Sequence, residues 1–130
     1  MKHYNVVAAV VCHEGKFLCM QKGETKFEYT SYKWEFPGGK IEPGETPQQA
    51  LARELMEEME YPVEVGEELV TVNHEYPDFS ITMTAYLCTP KAEADGFKRR
   101  EHADSKWSSQ EELKKLDWAA ADVGIVESIL

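Results

Sequence analysis

The chain is expected to fold as a mixed α/β sandwich, a β-sheet with helices on both faces. Three observations lead there. Strand-like segments come first and then alternate with helix-like ones. One segment carries a full set of helix-start signals. The composition, 42% hydrophobic and 29% charged over 130 residues, suits a globular chain with a real core. No repeat or linker divides it, so one domain over 1–130 is expected.

The elements follow in order. "YNVVAAVV" and "KFLCMQ" are rich in β-branched and apolar residues, and read as strands around a turn at "HEG". "KGETKFEYTSYK" is polar and irregular, a loop, and "WEF" is a short strand. "PGGKIEPGET" holds three glycines and two prolines, which marks a structured loop. Thr46, Pro47 and Gln49 then supply an N-cap, a first helical residue and a capping-box partner. That helix runs from Pro47 to about Met59 and must stop before Pro62, which holds Tyr61 extended. "VEVGEELVTVNHEY" and "FSITMTAYLC" read as two long strands joined near "PD". "SSQEELKKL" is a short helix capped by Ser108 or Ser109, and "DVGIVESIL" a closing helix with Asp122 near its start.

Charge and cysteines narrow the function. A formal net charge of -10 argues against a nucleic-acid polymer or an anionic membrane as partner. A small anionic substrate remains open if a cation mediates. Cys12, Cys19 and Cys88 form no C-x-x-C pair, which disfavours a zinc site or a disulfide framework. The apolar run from Val6 to Cys12 is too short to span a bilayer, and no cleavage pattern suggests a signal peptide. The cytoplasm is therefore the expected location. No "DxDxDG" loop supports a structural calcium site.

The helix at 47–59 is unusual. At about 100° per residue, Leu51, Leu55 and Met59 share one side with Ala52 and Met56, while Glu54, Glu57 and Glu58 fall together on the other flank of Leu51. Like charges in that arrangement repel, and more so near a core. A solvated acidic face relieved by Arg53 is one explanation.

The loop ahead of the helix offers another. In "GGKIEPGETPQQALARELMEEMEY", five residues separate Gly39 from Glu45, and seven more precede Arg53-Glu54-Leu55 and then Glu57-Glu58. This resembles the Nudix hydrolase signature, G-x5-E-x7-R-E-U-x-E-E-x-G-U, where U is bulky and apolar. The likeness implies a Nudix-type α/β/α sandwich around a mixed β-sheet. One position departs: Glu60 stands where the signature has its last glycine, a site that favours the left-handed conformation.

The resemblance implies roles. Glu54, Glu57 and Glu58, with the Gly38 carbonyl, would bind Mg2+ or Mn2+, which hard oxygen ligands select. Arg53 and Glu45 would orient those ligands and fix the loop on the helix. Glu101, in "FKRREHADSKW", is expected as a further metal ligand or as general base. His102 is either a competing base or a surface histidine. Lys22 stands where relatives carry a phosphate-binding arginine, and Lys40 either meets phosphate or is a surface lysine.

"VVAAVV", "WEFPGGKIE", "EH" and "SSQEEL…DWAAAD" are similar to stretches of bacterial CTP pyrophosphohydrolases and MutT-like 8-oxo-dGTP diphosphatases. That likeness implies a base pocket of Trp34, Glu35, Phe36, Tyr76, Phe79 and Asp122. For Trp34 and Phe36 strand core is the alternative, and for Asp122 a plain helix cap. An ionised Asp122 only accepts hydrogen bonds, so it would select an amino group. The expected activity is hydrolysis of a nucleoside triphosphate to monophosphate and pyrophosphate, of CTP/dCTP type. Oxidised dGTP is the alternative substrate, and a non-catalytic nucleotide sensor the alternative class. Monomer and homodimer both remain open.

Overall fold

The first two strands, β1 (Lys2–His13) and β2 (Lys16–Lys22), form a hairpin closed by two residues. Glu14 and Gly15 both take positive φ, 51° and 76°, the pattern of a tight turn that matches strand twist. The computed structural model describes all of residues 1–130. The remaining elements are β3 (Trp34–Glu35), β4 (Gly38–Lys40), α1 (Pro47–Met59), β5 (Val63–Glu75), β6 (Phe79–Pro90), β7 (His102–Ser108), α2 (Gln110–Leu113) and α3 (Ala120–Ile129).

The sheet is mixed. β1 runs parallel to β6 along Lys2–Val11, all other pairings between these strands are antiparallel, and an isolated parallel bridge joins Trp34 to Trp118. The strand order is β3-β2-β1-β6-β5, with β4 added to β1 and β7 to β2. Beyond their hairpin β1 and β2 part. β4 pairs with β1 at Val6–Ala8, while β3 pairs with β2 at Met20–Gln21. Residues 34–40 therefore bridge the opening between two diverging strands, and Pro37 O accepts from Ala9 N–H at 2.7 Å.

Alternation along β1 builds two cores. Val7, Ala9 and Val11 pack with Leu51, Leu55 and Met59 of α1. Ala8 and Val10 pack with Ile125 and Val126 of α3 and Leu113 of α2. One strand thus feeds both layers of the sandwich, as period-two geometry requires. Helices cover both faces, in agreement with the expected class. No helix is long and apolar enough to cross a membrane.

α1 starts as expected. Thr46 is extended, its hydroxyl accepts from Gln49 N–H at 3.1 Å, and the Gln49 side chain accepts from Thr46 N–H at 2.9 Å. It ends on Glu60, which takes φ 49° and ψ 41°, the left-handed geometry of the glycine it replaces.

Two sequence expectations need correction. Residues 38–40 form a strand rather than only a loop. Residues 102–108, where the sequence predicts no element, also form a strand. Glycine and alternating polar residues hide both from propensity. The helix expected over 108–116 is confined to Gln110–Leu113 and capped by Ser109, because buried Ser108 closes β7.

Candidate active site

Arg53 organises the acidic flank of α1. Its Nε and Nη2 reach Glu45 Oε2 and Oε1 at 2.6 and 2.9 Å, a fork-on-carboxylate pairing. Nη1 reaches Glu54 Oε1 at 2.9 Å and Glu57 Oε2 at 3.0 Å, and Nη2 also donates to Lys40 O. This single side chain, 21% exposed, ties the loop, the helix and β4 together. Its hydrogen bonds hold the Glu45 carboxyl below the usual carboxylate range.

The two glycines bring backbone against these acids. A Cβ on Gly39 would lie 2.4 Å from the Glu54 carboxyl. A Cβ on Gly38 would lie 1.9 Å from Val7 O. Neither position admits a side chain without movement.

Glu58 lies deeper. Burial, then a hydrogen bond that its protonated form donates to Glu54, then the Glu101 charge push its carboxyl up to about 9. The donor chemistry fits a hard divalent cation: carboxylates crowded until one keeps its proton, beside a glycine backbone. The set is not gathered on one point, since no three acidic, imidazole or thiol groups converge to share an ion. Glu57 is turned outward to Arg53, so Glu57 and Glu54 would have to exchange that partner to join any ligand set.

Two cavities meet here. One, of about 270 Å³, is wholly polar, with Glu58 and Glu101 on its walls beside His102. The other, of about 330 Å³, is largely apolar, with Tyr4, Phe27, Phe36, Tyr76 and Phe79 around it and Asp122 at its wall. Lys22, Glu35 and Gly38 belong to both. Glu35 is held by Lys22 Nζ at 3.5 Å and His102 Nε2 at 3.0 Å.

Asp122 is 4% exposed, and its Oδ2 accepts from Phe36 N–H at 2.9 Å. Burial and then the Glu35 charge push its carboxyl up to about 8. It is not the helix cap, a place taken by Ala119. Tyr76 is fixed through its hydroxyl, which accepts from Ala121 N–H at 3.0 Å.

Other expected residues fall differently. Trp34 is off the cavity wall and packs in the α3-side core, its backbone holding residues 117–119. Phe36 lines the cavity but also stacks on Trp118 at 4.8 Å, so it serves the core as well. Lys40 Nζ sits 4.3 Å above the Tyr4 ring. The reading of His102 as a surface histidine is wrong: its side chain is 5% exposed. Sequence reasoning missed Phe27 and Tyr29, which stack on one another at 5.1 Å, while Tyr29 stacks on Tyr76 at 5.5 Å. Tyr29 OH donates to Asp78 at 2.8 Å and fastens their loop over the cavity. Three aromatic residues, Phe27, Tyr29 and Tyr32, in an otherwise polar loop were the available signal.

An α/β/α sandwich with a carboxylate helix laid over a glycine strand is the arrangement that the Nudix resemblance implied. The NUDIX domain family matches residues 1–128, and the chain belongs to that family as a Nudix hydrolase. It is 32% identical to the CTP pyrophosphohydrolase of Escherichia coli (strain K12), over 100% of this chain and 93% of that one. It is 40% identical to the 8-oxo-dGTP diphosphatase of Proteus vulgaris, over 68% of this chain and 78% of that one. Among solved structures, the E. coli ORF135 protein superposes with a TM-score of 0.82 at 33% identity, covering 99% of this chain and 89% of that one. The MutT protein from Methanosarcina mazei Go1 gives 0.83 at 25% identity, covering 97% and 91%.

Proposed function

We propose that this chain is a magnesium- or manganese-dependent nucleoside triphosphate pyrophosphohydrolase that prefers cytidine nucleotides, CTP or dCTP. The observation that carries the reading is the junction of the two cavities. An apolar aromatic compartment and an acidic compartment share Lys22, Glu35 and Gly38, so base, sugar and polyphosphate have successive places.

Each residue then has a role. Tyr76, Phe79 and Phe27 give the base an aromatic enclosure. Asp122, neutral near pH 7 through burial, offers one O–H donor and one acceptor. That pair matches cytosine, whose N3 accepts and whose N4 donates. The original expectation of an acceptor-only carboxylate is thereby revised. An ionised carboxylate would suit the two adjacent donors of a guanine edge instead. Lys22 faces the polyphosphate from the junction, and Lys40 stands over Tyr4 at the cavity edge.

Glu54, Glu57, Glu58, Glu101 and the Gly38 carbonyl are the groups that would hold the divalent ion. When bound, the ion polarises the phosphoryl group and lowers the pKa of the attacking water. Arg53 and Glu45 keep α1 and the glycine strand in register, so the ligands start from a fixed frame. Glu101, across the acidic cavity from Glu58, takes the proton of the water whose oxygen attacks phosphorus. The phosphoanhydride P–O bond breaks, and pyrophosphate departs from the nucleoside monophosphate.

Full-length similarity to the E. coli CTP pyrophosphohydrolase supports the cytidine reading. The higher identity to the Proteus diphosphatase, over a shorter span, keeps oxidised dGTP as the second reading. A panel of natural and oxidised triphosphates with Mg2+, compared by kcat/KM, tests it. CTP or dCTP should lead. A lead of ten-fold or more for 8-oxo-dGTP gives the second reading, and stoichiometric binding without pyrophosphate marks a sensor. Glu57→Gln and Glu58→Gln should each lower kcat by about 100-fold or more while the fold persists.

A further inference from the structure

The residue that ends α1 departs from the glycine of the signature, and its surroundings give the departure a use. Glu60 occupies the left-handed region at φ 49°, which a non-glycine residue enters only at a cost. Its N–H satisfies the last turn through Leu55 O and Met56 O, as any residue there would. Its carboxylate does what glycine has no atoms to do. It pairs with Lys98 Nζ at 3.0 Å and with the Arg100 guanidinium.

Both residues are also bound to the helix backbone, Arg100 through its guanidinium and Lys98 through its main chain. Arg100 Nη1 donates to Glu57 O at 3.2 Å, and Lys98 N–H donates to Met59 O at 2.8 Å. α1 has no basic residue in its own last turn, so the cations that complement its C-terminal dipole come from this other segment. The neighbouring contacts run the same way. Phe97 meets the Tyr61 ring edge-on at 5.5 Å, and Tyr61 OH lies 3.2 Å from Glu93 O and 3.3 Å from Ala94 O. Residues 91–101 have no helix or strand of their own, so these ties fix their path. Glu101 is the next residue after Arg100 and stands on the acidic cavity with Glu58.

We propose that Glu60 is a positioning residue: by gripping Lys98 and Arg100 it locks the 97–101 segment to the end of α1 and sets Glu101 across from Glu58. The inference rests on the reading that Glu101 serves hydrolysis. An isolated surface ion pair contributes little. Here one carboxylate takes two cations, and one of these is held by a backbone carbonyl too, so the segment is constrained in several directions at once.

Glu60→Gly removes the carboxylate and the strain together, and Glu60→Gln removes the charge alone. Both should leave the melting temperature within a few degrees, and the glycine variant should not melt lower. Hydrogen exchange on the metal-free protein should accelerate about ten-fold at residues 97–102, and not within 50–57 of α1. kcat should fall about ten-fold with KM little changed, the signature of a displaced reacting group rather than lost binding. In a Glu101→Gln background, Glu60→Gly should cause no further fall. Unchanged exchange at 97–102, or an equal loss of kcat with and without Glu101, overturns the proposal. Wild-type protein that turns over no nucleotide sinks the hydrolytic reading instead, and the exchange rates still decide whether Glu60 holds the segment.

Discussion

Asp122 shows how far a single carboxyl can bias both stability and recognition. Its ordinary value is 3.8, and burial beside Glu35, partly offset by Lys22 and the Phe36 N–H, pushes it to about 8. Below the ordinary value both folded and unfolded chains carry the proton, and this group sets no pH dependence. As pH rises toward 8 the unfolded chain ionises and the native one does not, so stability falls across that window. Asp122→Asn keeps an acceptor for Phe36 N–H and never ionises. Its stability relative to wild type should rise between pH 5 and pH 8 by about 3 to 4 kcal/mol, read from urea midpoints. Asparagine also imitates the neutral acid, so CTP hydrolysis should survive in this variant and drop about ten-fold or more in Asp122→Ala. A collapse of activity in Asp122→Asn equal to that in Asp122→Ala would mean the carboxylate works ionised. The sequence placed Asp122 in an expected base pocket, by resemblance, but its protonation was not legible there. Its protonation depends on Glu35, 87 positions away in the chain, and on burial that only the packed α3 provides.

At the scale of elements, α1 was legible because its signals are local: Thr46, Pro47 and Gln49 mark its start, and Pro62 bounds its end. The acid spacing was legible for the same reason, since a helix turns residues 54, 57 and 58 to one flank whatever surrounds it. β4 was not, because its sequence, Gly-Gly-Lys, carries no strand preference. It is a strand because β1 offers Val6–Ala8 as partners and only glycine lets the chains approach. Gly38→Ala should therefore act on the element. The clash at 1.9 Å is with the Val7 carbonyl, which is backbone and cannot turn aside. A loss of about 3 kcal/mol is expected, with β4 detached in hydrogen exchange. Gly39→Ala meets the end of the Glu54 side chain instead, which can swing. Its stability loss should be smaller, about 1 kcal/mol, while hydrolysis falls further than stability explains. β7 escaped notice because its sequence, HADSKWS, is mostly polar, and its pairing with β2 joins residues far apart in the chain, from Phe17 with Ser108 to Lys22 with His102. β5 ends the sheet as a long edge strand, and its bulge around Glu68, with Glu64, Glu67 and Glu75 along it, discourages pairing with another copy.

For the whole molecule the controlling quantity is charge. A chain of net charge -10 must hold a triphosphate that is itself strongly anionic. Its cations near the cavities are few: Lys22 is engaged with Glu35, Lys40 lies over Tyr4, and Arg53 is spent on Glu45, Glu54 and Glu57. Coulomb repulsion therefore opposes the nucleotide alone, and the acid cavity opposes it most. A divalent ion reverses the sign of that local field, so ion and nucleotide should bind each other's complexes far better than the bare protein. The two cores share β1, so a ligand seated where β1 and β2 diverge stabilises both layers together. Melting with a non-hydrolysable triphosphate analogue measures this directly. Mg2+ alone or the analogue with EDTA should each move the transition by about a degree or two. The two together, at about a hundred times the dissociation constant, should add about 2.7 kcal/mol and roughly ten degrees. Glu58→Gln should remove most of the joint effect and leave the small separate ones. If the analogue in EDTA already gave the full shift, the nucleotide would be held without a cation. The acidic ridge of α1 would then need another explanation.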